Sequence, residues 1–114
     1  MVKRVLSELL SGEIMYQTKI LTNFSKYNNI RAGKSDQYEN FTADCTITIA
    51  NLKLQGKTDG IITYDPPLEQ GGTIRYILRS WIDLPAAEEW MVLRNAICVK
   101  HDIEITTYEI IEIV

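Results

Sequence analysis

The sequence predicts an α+β two-layer sandwich, a mainly antiparallel sheet carrying an N-terminal helix and a second helix before the last strand. Three observations predict it. Apolar residues recur at helical spacing near the start, at Val2, Val5, Leu6, Leu9 and Leu10. Long stretches in the middle and at the end alternate with period two, the signature of half-buried strands. A capped, strongly apolar helical segment then interrupts the strands near residue 84.

Each element follows from its residues. Val2 to Leu10 form the apolar side of a helix, and Ser11-Gly12 is its stop. In residues 13–23, Ile14, Tyr16, Thr18, Ile20 and Thr22 alternate with Glu13, Gln17 and Lys19, and β-branched and aromatic side chains favour a strand. The competing reading continues the helix to Phe24, at a cost of roughly 1 kcal/mol for an interior glycine. Ser25 to Asp36 is polar, contains Asn28-Asn29 and Gly33, and reads as a loop. Phe41, Ala43, Cys45, Ile47 and Ile49 share one parity and Thr42, Asp44, Thr46 and Thr48 the other, so this stretch is expected to be a strand. The apolar parity flips afterwards to Leu52 and Leu54, which calls for a bulge, bend or tight turn near Ala50-Asn51.

Gly56 to Gly60 reads as a turn, Ile61 to Tyr64 as a short strand, and Asp65-Pro66-Pro67 through Gly71-Gly72 as an irregular loop. From Thr73 to Ile82 a strand sets Ile74, Tyr76, Leu78 and Ile82 against Arg75, Ile77, Arg79 and Trp81. Asp83 is the expected N-cap of the following helix, with Pro85 in its first turn, where a missing N–H does no harm. Within residues 90–99 only Arg94 and Asn95 are polar, and a helix apolar nearly all round is expected to be buried on more than one side. The last strand, Ile103 to Val114, sets Ile103, Ile105, Ile111 and Ile113 against Glu104, Thr106, Tyr108, Ile110 and Glu112.

At 114 residues and 46% hydrophobic, the chain is expected to be one domain, residues 1–114, able to bury roughly two thirds of its unfolded surface. No apolar run approaches the ~18 residues that cross a bilayer, and MVKRVLSELLSGE lacks a continuous apolar signal core, so a soluble cytoplasmic domain without membrane contact is expected. Two cysteines, Cys45 and Cys98, fall short of a disulfide framework. The net charge of −3 is unevenly spread. Residues 1–34 carry six cations against two carboxylates, leaving −7 for the remainder. An acidic whole-chain balance disfavours nonspecific binding to nucleic acid.

The chemistry-bearing patterns are incomplete. Ala32-Gly33-Lys34-Ser35 resembles part of a phosphate-binding loop, yet Asn28 stands where that loop needs glycine. Its context also fails, because a strand rather than a helix is read after it, so no nucleotide cofactor is expected. Cys98 and His101 lie three apart at a helix end and can share a face, but nucleophilic catalysis would need the cysteine activated by a base and a third group orienting the histidine. Asp102 and the helix dipole explain His101 structurally, and Cys98 in an apolar run behaves as a small hydrophobe. With a distant Cys45 they offer three metal ligands without a recognisable spacing, so no metal is expected. Glu88-Glu89 and Glu109 with Glu112 are solvated carboxylates rather than an acid–base pair. Asn23-Phe24-Ser25 and Asn40-Phe41-Thr42 match the glycosylation pattern, of which about one match is expected by chance, and with no secretion signal read neither is expected to be used.

One stripe stands out. Arg75, Arg79 and Trp81 share a strand face beside Ile77, and arginine and tryptophan dominate protein-interface hot spots. Salt bridges from Glu104 and Glu112 on a neighbouring strand would also account for the arginines. The expected function is a non-enzymatic protein-interaction module, working as a homo-oligomer or within a larger assembly, for instance as an inhibitor or assembly factor. The apolar second helix, the last strand reaching both faces at Ile110-Ile111 and the stripe are more than a small monomer readily covers. Two alternatives are single-stranded nucleic-acid binding, by this stripe with Lys26, Tyr27, Arg31 and Lys34, and a small enzyme using Cys98 and His101.

Overall fold

A computed structural model describes residues 15–23, 36–67 and 74–113. It is an α+β arrangement of β1 (Met15–Asn23), α1 (Asp36–Leu54), β2 (Thr63–Asp65), β3 (Ile74–Trp81), α2 (Leu84–Lys100) and β4 (Tyr108–Ile113). The four strands form one antiparallel sheet in the order β2-β3-β1-β4. The strand expected over 13–23 is present as β1. The helix expected over Val2–Leu10 and the loop from Ser25 through Lys34 lie outside the described residues.

Register fixes the faces. Tyr16 stands opposite Trp81, Thr18 opposite Arg79, Ile20 opposite Ile77 and Thr22 opposite Arg75. Directly paired residues share a side of the sheet. This side meets the helices: Ile20 and Trp81 join Ile49 and Leu52 of α1 and Ala86, Ala87, Trp90 and Met91 of α2 in one core, with Tyr16, Ile77 and Ile110 packed against it. A row of this kind removes several hundred square ångströms of apolar surface from water, at roughly 25 cal/mol per Å². The opposite side carries Lys19, which lies 4.8 Å from the Tyr76 ring centroid and 3.7 Å from Glu109.

The largest correction concerns residues 36–54. The expected strand over Phe41–Ile49, with a bulge at Ala50-Asn51, is a continuous α-helix. Its core side is Phe41, Cys45, Ile49 and Leu52, spaced by four, four and three, so the flip to Leu52 is the helix continuing. It ends in a Schellman turn: Lys57 N–H donates to the Leu52 carbonyl at 3.0 Å and Gly56 N–H to Lys53 at 3.0 Å. Gly56 has φ +78 with open space around its Cα, so the backbone conformation, not crowding, selects glycine.

Helix α2 starts as expected. Asp83 is extended and its carboxylate accepts from Ala86 N–H at 2.9 Å, with proline in the first turn. At its far end, Ile103 N–H donates to Cys98 at 2.8 Å and Asp102 N–H to Val99 at 3.2 Å, with Asp102 at φ 54. Gln37 at the start of α1 donates to the His101 and Asp102 carbonyls at 2.7 and 2.8 Å, and Lys57 beyond its end meets Glu89 at 2.6 Å. The two helices therefore run antiparallel along the sheet. The last strand is shorter than expected, leaving Ile103 and Ile105 ahead of it. It pairs with β1 rather than β3, so Glu104 and Glu112 do not lie in the strand beside the β3 arginines. Glu112 instead accepts from the Tyr16 hydroxyl at 3.3 Å.

Candidate functional site

Arg75, Arg79 and Trp81 do share one face of β3, but it is the face beneath the helices, not a solvent-facing stripe. Trp81 is 0% exposed and Arg75 3%. The Trp81 ring stacks on Trp90 of α2, centroids 5.9 Å apart at 23°, and its indole N–H donates to the buried Thr18 hydroxyl at 3.0 Å. A large apolar ring with its polar edge satisfied belongs in a core. In this conformation Trp81 offers no ring face to a nucleobase. Arg75 donates to the Pro67 carbonyl at 3.4 Å. Lys26, Tyr27, Arg31 and Lys34 lie outside the described residues.

Arg79 is half-buried, its guanidinium carbon 5.8 Å from the Trp90 ring centroid. One helical turn beyond Trp90, Arg94 is 8% exposed, lies 5.5 Å from the Phe41 ring centroid and points an N–H at the Cys98 sulfur, 3.8 Å away. Both arginines act electrostatically on Cys45, which α1 turns towards them. Burial holds the Arg79 pKa below its ordinary value, chiefly because the charged form loses water. Burial also raises the Cys45 thiol to about 11, so at neutral pH it carries no balancing charge. Asp44 and Asp59 face this cluster but are engaged elsewhere. Asp44 accepts from Lys100 at 2.9 Å and lies 2.6 Å from His101 Nε2, contacts that hold its pKa below the ordinary carboxylate range. Asp59 accepts from Ile61 N–H at 2.9 Å. Sequence reasoning noted Arg94 as a rare polar residue in an apolar helix, and that isolation was the available sign of it.

Cys98 and His101 do not converge as nucleophile and base. Cys98 is fully buried against Arg94, whereas His101 reaches across to Asp44 of α1, not to its neighbour Asp102. Desolvation raises both thiols. Cys45, lifted from 9.0 to about 11, holds on the order of 100-fold less thiolate than an ordinary cysteine at pH 8. Native protein treated with iodoacetamide at pH 8 is expected to alkylate at both cysteines at least ~50-fold more slowly than urea-unfolded protein, read by intact mass. Rapid native labelling of Cys98 would revive the nucleophile.

The helices also have an outer side. On α1, opposite its core side, Ala43, Ile47, Ala50 and Leu54 recur at i, i+4, i+7 and i+11, with Ile47 60% and Leu54 85% exposed. On α2, Val92, Ala96 and Val99 recur at i, i+4 and i+7, with Val92 68% and Val99 71% exposed and Leu93 beside them. The expectation that α2 is buried on more than one side is met on one side only. A helix of a two-layer domain ordinarily turns charge outward; beside exposed Glu39, Lys53, Glu88 and Lys100, these two also turn out valine, isoleucine, leucine and alanine.

Among the described residues, no group of three or more His, Cys, Asp or Glu side chains could hold a metal ion, and no helix is long and apolar enough to cross a membrane. No family model, curated protein or solved structure matches the chain, so any functional assignment rests on these surfaces.

Proposed function

We propose that this chain is a non-enzymatic protein-interaction module that self-associates through the outer side of its helical layer. One observation carries the reading: α1 and α2 both present apolar stripes away from the sheet, on neighbouring antiparallel helices. Scattered exposed apolar residues need no explanation, but two helical stripes on adjacent elements make a continuous patch of the kind that marks interaction sites. Small residues alternate with large ones, Ala43 and Ala50 with Ile47 and Leu54, and Ala96 with Val92 and Val99. Such alternation lets side chains of a facing helix seat between them. Two helices against two helices is a self-complementary arrangement suited to a two-fold dimer, within the ~1,200–2,000 Å² of a standard interface.

The test is solution mass by light scattering from about 5 to 200 µM. The wild-type chain is expected to associate, and Val92→Glu or Ile47→Glu to weaken association at least ~100-fold, because a carboxylate desolvated in an apolar interface is costly. Since both positions are exposed in the protomer, the thermal melting of dilute protein should stay within a few degrees. A wild-type chain that remains monomeric at 200 µM overturns the proposal.

A further inference from the structure

Beneath the helices lies a cluster rich in donors and poor in acceptors. Arg79 and Arg94 flank Trp90 and Phe41, their guanidinium carbons 5.8 and 5.5 Å from the two ring centroids. Neither forms an ion pair with a carboxylate among the described residues. The Trp90 indole N–H, on the ring beside Arg79, is buried and has no acceptor in the described structure. Two guanidiniums and an indole N–H are donors only. Arg94 directs an N–H at the weak Cys98 sulfur, 3.8 Å away. Asp44 and Asp59 are held by Lys100, His101 and the Ile61 N–H.

Bringing two like charges and an unsatisfied N–H together under an apolar layer costs free energy that the two ring contacts offset only in part. An oxyanion offsets the charge of both arginines, since its oxygens accept from planar guanidinium forks, and the unpartnered Trp90 indole N–H is a further donor on the ring that Arg79 covers. We propose that the Arg79–Arg94–Trp90 cluster binds a small oxyanion, a phosphate or carboxylate group, entering beside the half-buried Arg79. The ligand would neutralise the arginine pair and tie β3 to α2. The site is separate from the outer helix face, so self-association and anion binding are tested independently.

The experiment is a phosphate titration of the ¹⁵N-labelled full chain, with sodium chloride added to keep ionic strength constant. Two tryptophans give two indole signals. The Trp90 signal, assigned through its ring neighbours, is expected to shift saturably with half-saturation at millimolar phosphate or below. The Trp81 signal, whose N–H already donates to Thr18, is expected to stay. Arg79→Gln should weaken binding at least tenfold, and an unmoved Trp81 signal in that variant reports an intact core. A parallel succinate series separates the sources: tighter phosphate binding marks a phosphate-bearing ligand, tighter succinate binding a carboxylate. A shift that fails to saturate, that chloride alone reproduces, or that survives Arg79→Gln with unchanged affinity overturns the proposal.

Discussion

Trp81→Ala is expected to lower the unfolding free energy by about 4 kcal/mol, a large share of what a domain of this size has to lose. Trp81 is fully buried at the end of β3, where three elements meet on it. Its ring stacks on Trp90, its N–H satisfies the buried Thr18 hydroxyl, and its backbone bridges to Thr58 beyond the end of α1. Truncation removes the ring's transfer free energy and leaves a cavity that sheet and helix close only in part. It also strips Trp90 of its stacking partner. Trp81→Phe keeps an aromatic ring against Trp90 but takes the donor from Thr18, at a cost of about 1–2 kcal/mol. Urea unfolding followed by circular dichroism checks both, with Trp90 fluorescence as a second probe. A cost below ~1 kcal/mol for the alanine variant would mean that this face of β3 is open to water. Arg75, Arg79 and Trp81 would then be accessible to a partner.

That stripe shows what a strand pattern conveys and what it withholds. Period two places Arg75, Ile77, Arg79 and Trp81 on one side of β3, and the register with β1 bears this out. Which side faces the core is not contained in the alternation. Both parities of β3 hold apolar residues, and the choice is made by what packs above, Trp90 and Met91 from the helix that follows β3. Tryptophan and arginine on a strand read equally as hot spot or as core with a snorkelling cation. The decisive contact is tertiary and lies outside the strand's own pattern. The same holds for His101, which sequence pairs with adjacent Asp102 and the fold pairs with Asp44, 57 residues earlier.

Locally coded features were legible. Asp83 followed by Leu84-Pro85 specifies a helix start through a side-chain acceptor and a harmless missing donor, and α2 begins there. Tyr16, Thr18 and Ile20 specify β1 by the same local logic. The misreading of residues 41–49 has a physical cause. Helix α1 is apolar on two opposite sides, Phe41, Cys45 and Ile49 inward and Ala43 and Ile47 outward. Interleaved, the two sides make every odd-numbered residue apolar and imitate a strand. A helix with a polar outer side would have shown its 3.6-residue period plainly. The outward apolar side that disguised the helix is the one assigned to self-association.

A single exposed position, Thr46, measures the conformation of that segment through two substitutions of opposite sign. Thr46 lies near the middle of α1, exposed, with its hydroxyl donating to the Thr42 carbonyl at 2.8 Å. Thr46→Pro removes a ladder donor and drives the pyrrolidine ring into the carbonyl four residues back. It is expected to cost about 3 kcal/mol or more and to reduce the helical circular dichroism. Thr46→Ala relieves β-branching in a helix and frees the Thr42 carbonyl from a competing hydroxyl, so it is expected to stabilise by up to ~0.5 kcal/mol. Were residues 41–49 a strand, Thr46 would sit on its polar, water-facing parity, and alanine there would be destabilising by up to ~1 kcal/mol. Urea midpoints of the three proteins at one dilute concentration, below self-association, decide the sign. A stabilising alanine beside a strongly destabilising proline fixes α1 as a helix, and with it the placement of Ala43, Ile47, Ala50 and Leu54 on one outward stripe. A destabilising alanine would dissolve that stripe and remove the surface through which the chain is proposed to meet its own copy.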